Sequence, residues 1–335
     1  MLVSQGAVAY TRHLWHLLPQ VGIGAGMVFG GDLAIMPRPA VGQIAGDGSL
    51  GSLINGSATG RCLAATCTIT GGSLNAAGST LLHSFGQFSL EDAGQSALFV
   101  DPGVNDIVVR VTGGLASLLN GEIQASAGSR ANLFFVNPSG IRFGPTAQLS
   151  LGGAFIASTA HQIAFGHGVM LLSGSATPLG GELLTISAPV GLGFLASETS
   201  ASITVQGTGH LLAFGAPDLP SAFVNRIFQQ GPPPGAGPPG GLLPLSDLAV
   251  RPGAAIALVA NGIDLAGGNL SAVGGQIELG SVSAGTVLFN PDLSLDYGDV
   301  DAFADISLSD RATLEVSDRT PGRVLLGGRD IFGDG

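Results

Sequence analysis

An all-β solenoid of short stacked strands is the fold class that this sequence predicts, and three observations carry it. Short apolar or alternating runs recur between Asn132 and Thr159: Leu133–Val136, Ile141–Phe143, Leu149–Leu151 and Ala154–Ala157. The segments between them, Asn137-Pro-Ser-Gly140, Gly144-Pro-Thr146 and Gly152-Gly153, turn the chain and leave no room for a helix. The composition agrees, with 55 glycines and 10% charged residues against 45% hydrophobic residues in a chain of 335. An average globular chain carries about 25% charged residues. Strands this short and this evenly spaced suit a chain that coils on itself better than a sandwich of longer strands. The hydrophobic content is enough to bury a core, and the 16 phenylalanines against one tryptophan fit interior stacking.

Residues 1–40 stand apart from the rest of the chain. Arg12 precedes Leu14-Trp-His-Leu-Leu18, then a glycine-interrupted apolar stretch runs to Ile35, with small residues near Ala40. This is the pattern of an export signal, expected over 1–40, with an ordered first cap as the alternative. No later stretch reaches the roughly 20 apolar residues that a membrane span requires. Residues 41–130 hold longer, irregular connections, as expected of a cap over the first coil's open edge. Within them lie Cys62 and Cys67, with no nearby Cys or His to complete a zinc set. A local disulfide pinning a short hairpin is expected, worth about 2 kcal/mol at most for so short a loop, and it implies an oxidising compartment. A reactive dithiol is the alternative.

Regular repeats are expected from 131 to 215, with further strands at Val190–Phe194 and Ser202–Gln206. The Pro/Gly-rich stretch Gln230–Gly241 cannot donate to a ladder, so 216–245 reads as a loop. Strands resume over 246–335. Ala257–Val259, Ile263–Leu265, Leu270–Ala272, Ile277–Leu279 and Val287–Phe289 recur, and three of them make a coil of roughly 20–25 residues. Leu308, Leu314, Val316 and Val324–Leu326 continue the series.

Net charge is −11, and all 12 basic residues are arginine. An acidic, lysine-free chain supplies no counterion-releasing patch, which argues against nucleic acid and an anionic membrane surface, and without a long apolar stretch no stable membrane insertion is expected. Catalysis on a polysaccharide needs converging carboxylates, and the best candidates are Asp299 and Asp301 in Asp296-Tyr-Gly-Asp-Val-Asp301, with Asp305 nearby. The period-2 spacing could put two of them on one strand face. A solvated acidic loop is the plainer reading and calcium a third. His161 and His167 flank Ile163-Ala-Phe165 and could meet across a turn, while His83 reads as a hydrogen-bonding residue of the cap. No nucleophile elbow or phosphate-binding loop is present. No catalytic, cofactor-binding or metal-binding residue is expected.

Several blocks resemble the amino-terminal two-partner secretion (TPS) domain of the filamentous haemagglutinin family. Asn137, Pro138, Gly140 and Ile141 match its Asn-Pro-Asn-Gly-Ile turn, with Ser139 in place of the second Asn, and Phe143-Gly-Pro145 and Ala157-Ser-Thr159 come next. Leu82-His-Ser-Phe-Gly-Gln-Phe88, Arg110-Val-Thr-Gly-Gly114 and Asn120-Gly-Glu-Ile123 are similar to its earlier signatures. Ala257-Leu-Val259, Gly267–Leu270 and Gly275–Ser281 resemble its continuing coils, so the likeness covers roughly Val41 to Asp330. The second turn of some members, Asn-Pro-Asn-Leu, is not found; Asp101-Pro-Gly103 lies in that region.

The resemblance implies a right-handed single-stranded parallel β-helix with an N-terminal cap and extra-helical hairpins, the secretion domain lying within 41–215. It implies an exported, adhesin-like protein at the cell surface, recognised by an outer-membrane β-barrel transporter with periplasmic docking domains. A host or neighbouring-cell glycan or receptor is a further expected partner. Residues 137–141 would be the secretion-motif turn. The chain is expected to be a fragment, or a short member of a family of longer proteins. A β-helical polysaccharide-degrading enzyme and a purely structural surface module are the rival readings.

Overall fold

The computed structural model describes residues 43–166, 168–171, 188–198, 200–209, 247–318 and 322–334. The expected leader over 1–40 and the Pro/Gly-rich loop over 216–245 lie outside the described residues. What is described is all-β, with no helix.

Three parallel ladders organise the chain. The first runs through Thr80–Phe88, Asp106–Val111, Asn132–Val136, Phe155–Ser158, Ala255–Ala260, Gln276–Phe289 and Arg323–Gly327. A second joins Ser117–Leu119, Ile141–Phe143, Ile203–Gln206, Ile263–Ala266, Ile306–Ser309 and Ile331–Gly333. The third comes in two pieces. One spans Thr66–Gly71, Ser96–Phe99, Glu122–Ala125 and Gln148–Ser150; the other spans Asp247–Ala249, Asn269–Ser271 and Thr313–Glu315.

The chain visits these ladders in a fixed cycle: Glu122–Ala125 in the third, Asn132–Val136 in the first, Ile141–Phe143 in the second, then Gln148–Ser150 in the third again. Parallel neighbours need a crossover of a dozen or more residues, and here the other two ladders supply it. Ile107 pairs with Leu133 and Leu133 with Phe155, steps of 26 and 22 residues, and Ile256 pairs with Ile277, a step of 21. The arrangement is compatible with a parallel β-helix; the steps of 21 and 22 fall within the coil length expected from the sequence and that of 26 just above it.

Strand periodicity decides where the core sits. Alternate residues of the first ladder, such as Ile107, Leu133, Phe155, Ile256 and Ile277, are buried in one cluster with Ile123 of the third ladder and Ile141, Ile203, Ile263 and Ile306 of the second. Phenylalanines interlock within it: Phe88 meets Phe135 edge-on with ring centroids 5.0 Å apart, and Phe143 meets Phe155 at 6.0 Å.

The residues of the first ladder that point the other way are apolar as well. Leu82, Val108, Phe134, Ile156 and Ala257 belong to a second buried cluster. Antiparallel strands cover them, and here the structure corrects the sequence reading. Pro189–Phe194 is not a coil strand: it pairs antiparallel with Gln162–Phe165 and with Gln276–Phe289. Val287–Phe289 is not a separate rung either, but the far half of the 14-residue strand Gln276–Phe289, which folds back on Leu295–Phe303. Alternation of apolar residues has the same period in a coil strand and in a covering hairpin, so the pattern could not separate them.

Antiparallel strands also flank the first rung. Ile44–Gly46 pairs with Thr80–Phe88 and with Arg61–Cys62, and Ser52–Ile54 pairs with Thr66–Gly71. Cys62 and Cys67 form the expected disulfide. It does not pin a hairpin. Cys62 lies in a strand of the first sheet and Cys67 in the third ladder, so the bond ties two sheets together.

Candidate functional site

The Asn137–Ile141 turn forms the corner where the chain leaves the first ladder, after Asn132–Val136, and enters the second at Ile141–Phe143. Its local geometry is set by its own residues. Asn137 Oδ1 accepts from the Ser139 N–H at 3.0 Å, and the Asn137 carbonyl accepts from the Gly140 N–H at 3.1 Å. Pro138 holds the first turn position, where its fixed φ suits the backbone and no donor is needed. Gly140 leaves the turn at φ +113°, a conformation that a side chain disfavours.

Stacking then locks the corner. Asn137 is buried, and its Nδ2 donates to the Leu115 carbonyl at 2.9 Å and to Ser117 Oγ at 3.0 Å, both on the preceding coil. On the other side the Asn137 N–H donates to the Ser158 carbonyl, and the Pro138 carbonyl accepts from the Ala201 N–H, at 2.9 and 3.0 Å. Ile141 is fully buried in the main cluster. The side chain of Asn137 thus shapes its own turn through one atom and grips the coil before it through another. Buried amides are costly unless bonded in this way.

A similar corner occurs further along, and the sequence reading did not single it out. Asn261 Nδ2 donates to the Ser200 carbonyl at 3.2 Å, and Gly262 comes next at φ +98°. Its signal was an Asn-Gly-Ile run in register with the end of the first turn: Ile141 and Ile263 are each paired to Ile203.

The other family-like blocks meet in space. At the next corner, Gly144 N–H donates to the Leu119 carbonyl and Thr146 Oγ1 to the Asn120 carbonyl, at 2.9 and 2.6 Å. Phe143-Gly-Pro-Thr146 therefore rests on Asn120-Gly121. Nearer the amino terminus, His83 and Ser84 lie beside Val109 and Arg110. His83 is buried against Phe85 and Phe99, with Nδ1 3.1 Å from Ser52 Oγ. Burial pushes its pKa down to about 4. It thus hydrogen-bonds to the amino-terminal strands, as its place in the sequence suggested.

Arg110 is also buried, and its guanidinium donates to Ser84 Oγ and Ser49 Oγ at 3.0 and 2.9 Å. Both serine hydroxyls in turn donate to the Asp47 carboxylate. The sequence marked Ser84 and Arg110 only as parts of two family-like blocks and gave no sign that Asp47 joins them, because Asp47 and Arg110 are far apart in the chain.

None of the acidic candidates is buried. Asp296, Asp299 and Asp301 are exposed along Leu295–Phe303, and Asp296 Oδ1 accepts from the Gly298 N–H at 2.9 Å. Asp305 accepts two bonds from Arg329, at 2.9 and 2.7 Å. His161 is buried, accepts from the Leu195 N–H through Nδ1 at 3.1 Å, and has its Nε2 3.8 Å from Glu198. It anchors the covering strand Pro189–Phe194. His167 lies outside the described residues.

Compared with known protein families, the chain is matched by the model of the TPS secretion domain over residues 44–324. No curated protein matches it.

Proposed function

The chain belongs to the TPS secretion domain family and is a two-partner secretion exoprotein; from this premise we propose that its Asn137 corner is part of what the partner transporter requires. The proposed transporter is an outer-membrane β-barrel whose periplasmic domains hold the chain while it is still extended, by adding it as a strand to a free sheet edge. Coils would then stack outside the cell one upon another, each needing only the one before it. The proposed coil is a right-handed β-helix, with its cap within residues 43–130 and with Gln162–Phe165, Pro189–Phe194 and the hairpin over 282–303 as its extra-helical strands. The leader over 1–40 would direct the first export step. At the surface the protein would act without catalysis, as an adhesin that contacts a glycan or receptor on a host or neighbouring cell.

One observation supports the corner's role: Asn137 bonds its own turn and the preceding coil at once. A chain that must stack each coil on the last would stall where that bond is missing. Asn137→Ala and Pro138→Gly are expected to lower the amount of protein in the culture medium several-fold while cellular expression stays level. Secretion equal to the parent's would remove the turn from the export reading.

A further inference from the structure

The amino-terminal strands are joined to the coil by a charge cluster that reaches past the strand they pair with. Ile44–Gly46 lies antiparallel on Thr80–Phe88, with Ile44 opposite Phe88 and Gly46 opposite Phe85. Arg110 sits one rung further in, on Asp106–Val111, directly beside Ser84. Its side chain is 1% exposed. Nε donates to Ser84 Oγ and Nη2 to Ser49 Oγ. Each hydroxyl passes the contact on to a different oxygen of Asp47, Ser84 to Oδ2 and Ser49 to Oδ1. Thr112 Oγ1 adds a third donor to Asp47 Oδ2 at 2.9 Å, and the Thr112 N–H donates to the Phe85 carbonyl at 2.8 Å.

Five side chains from three separate segments close this cluster, and none of the three completes it alone. A buried guanidinium without a counter-charge is costly, whereas hydrogen bonds to charged groups contribute about 1.5–3 kcal/mol each. Arg110 can therefore lose its water only when Asp47 arrives. Asp47 in turn has its donors in place only when Ser84 and Thr112 are already held by the first ladder.

We propose that residues 43–62 form a strap latched by Asp47 and Arg110, which closes only after both rungs carrying Ser84 and Arg110 have folded. The strap covers the Phe85–Phe88 half of the outer edge of Thr80–Phe88, Ser73–Leu74 covering the other half, so closure marks completion of the first two rungs. Arg110 is a positioning residue in this device: it holds the strap through Ser49 and Asp47. The proposal does not depend on how the protein is exported.

Trypsin tests it directly, because the chain has no lysine and Arg61 is the one arginine between Asp47 and Arg110. In the purified full chain, Asp47→Asn is expected to raise the rate of cleavage after Arg61 about tenfold, the effect of losing one charged hydrogen bond. Cleavage after Arg142, on the second ladder, should keep the parental rate. Thr112→Val should raise Arg61 cleavage by a smaller factor, and Thr112→Ser should restore parental protection. During refolding from urea, Arg110 should become protected before Arg61 or together with it. Three outcomes would overturn the latch: Arg61 and Arg142 cut faster in parallel, no change at Arg61, or Arg61 protected before Arg110.

Discussion

Asn137-Pro-Ser-Gly140 and Asn290-Pro-Asp-Leu293 begin with the same dipeptide and close with the same backbone bond, from the fourth residue's N–H to the asparagine carbonyl, at 3.1 and 2.9 Å. Their surroundings differ. Asn290 lies at the exposed tip joining Gln276–Phe289 to Leu295–Phe303, and its side chain donates to Ser294 Oγ at 3.0 Å, four residues away. Asp292 accepts from Ser294 as well. Asn137 is buried, and its side chain reaches back 22 residues to Leu115. Local chemistry makes both turns, but only stacking makes one of them a joint between coils. The contrast extends to the regions they serve: a coil interior filled from three ladders, and a covering layer packed on one ladder from outside.

The largest expected difference lies in the two cores. Phe135 is fully buried inside the coil and meets Phe88 edge-on, so Phe135→Ala should cost about 3–5 kcal/mol. Phe289 is half-buried in the covering layer, with its ring 5.5 Å from that of Phe134. Phe289→Ala should cost about 1–2 kcal/mol, since less apolar surface is at stake. Urea unfolding of both variants measures the gap. Equal losses would mean that the two layers form one cooperative core.

Acid separates the same regions by a smaller amount. His83, packed inside the coil, titrates near 4 when folded against 6.5 ordinarily. The unfolded chain therefore takes up the proton first, and the native state loses stability as pH falls from 6.5 towards 4. The full shift is worth about 3 kcal/mol. His161, which anchors the covering layer, is lowered too, by burial and against the pull of Glu198, so it acts in the same direction. Glu278, whose carboxyl burial holds above the usual range, acts in the opposite sense: its cost to the native state shrinks on acidification. Urea curves at neutral and acid pH should show a shallower loss in His83→Gln than in the parent, and a smaller relief in His161→Gln. A greater relief from His161→Gln would place the acid-sensitive joint in the covering layer.

The sequence made the coil strands legible because their inward residues alternate between fixed turns, as at Ile141 and Phe143. Coil length was legible for the same reason, through the spacing from Ile256 to Ile277. Pro189–Phe194 was misread because Leu192 and Phe194 alternate just as a coil strand does, and nothing local says which sheet they join. The Asn137 turn could be read from four residues. Its grip on Leu115 and Ser117 could not, because that bond depends on how many residues one coil takes. Arg110 and Asp47 mark the limit: Arg110 lies in a block the sequence singled out, but nothing local pairs it with a counter-charge more than 60 residues away.

The smallest effect tests the comparison at its origin. Asn137→Ala removes a donor to two acceptors on the preceding coil, the buried Ser117 hydroxyl and the Leu115 carbonyl, and an acceptor for the Ser139 N–H. Leaving such groups unpaired costs about 1–3 kcal/mol, more than the bonds themselves contribute. Asn290→Ala removes one side-chain bond at an exposed tip, where water replaces the lost partner, so it should cost about 0.5 kcal/mol. The backbone bond between Asn290 and Leu293 survives either way. Side by side in urea, the two variants share residue type, the Asn-Pro start of the turn and the deleted atoms, and differ in the turn's last two residues and in what those atoms touched. A loss at Asn290 as large as that at Asn137 would show that the turn itself, and not the coil stacked against it, sets the cost.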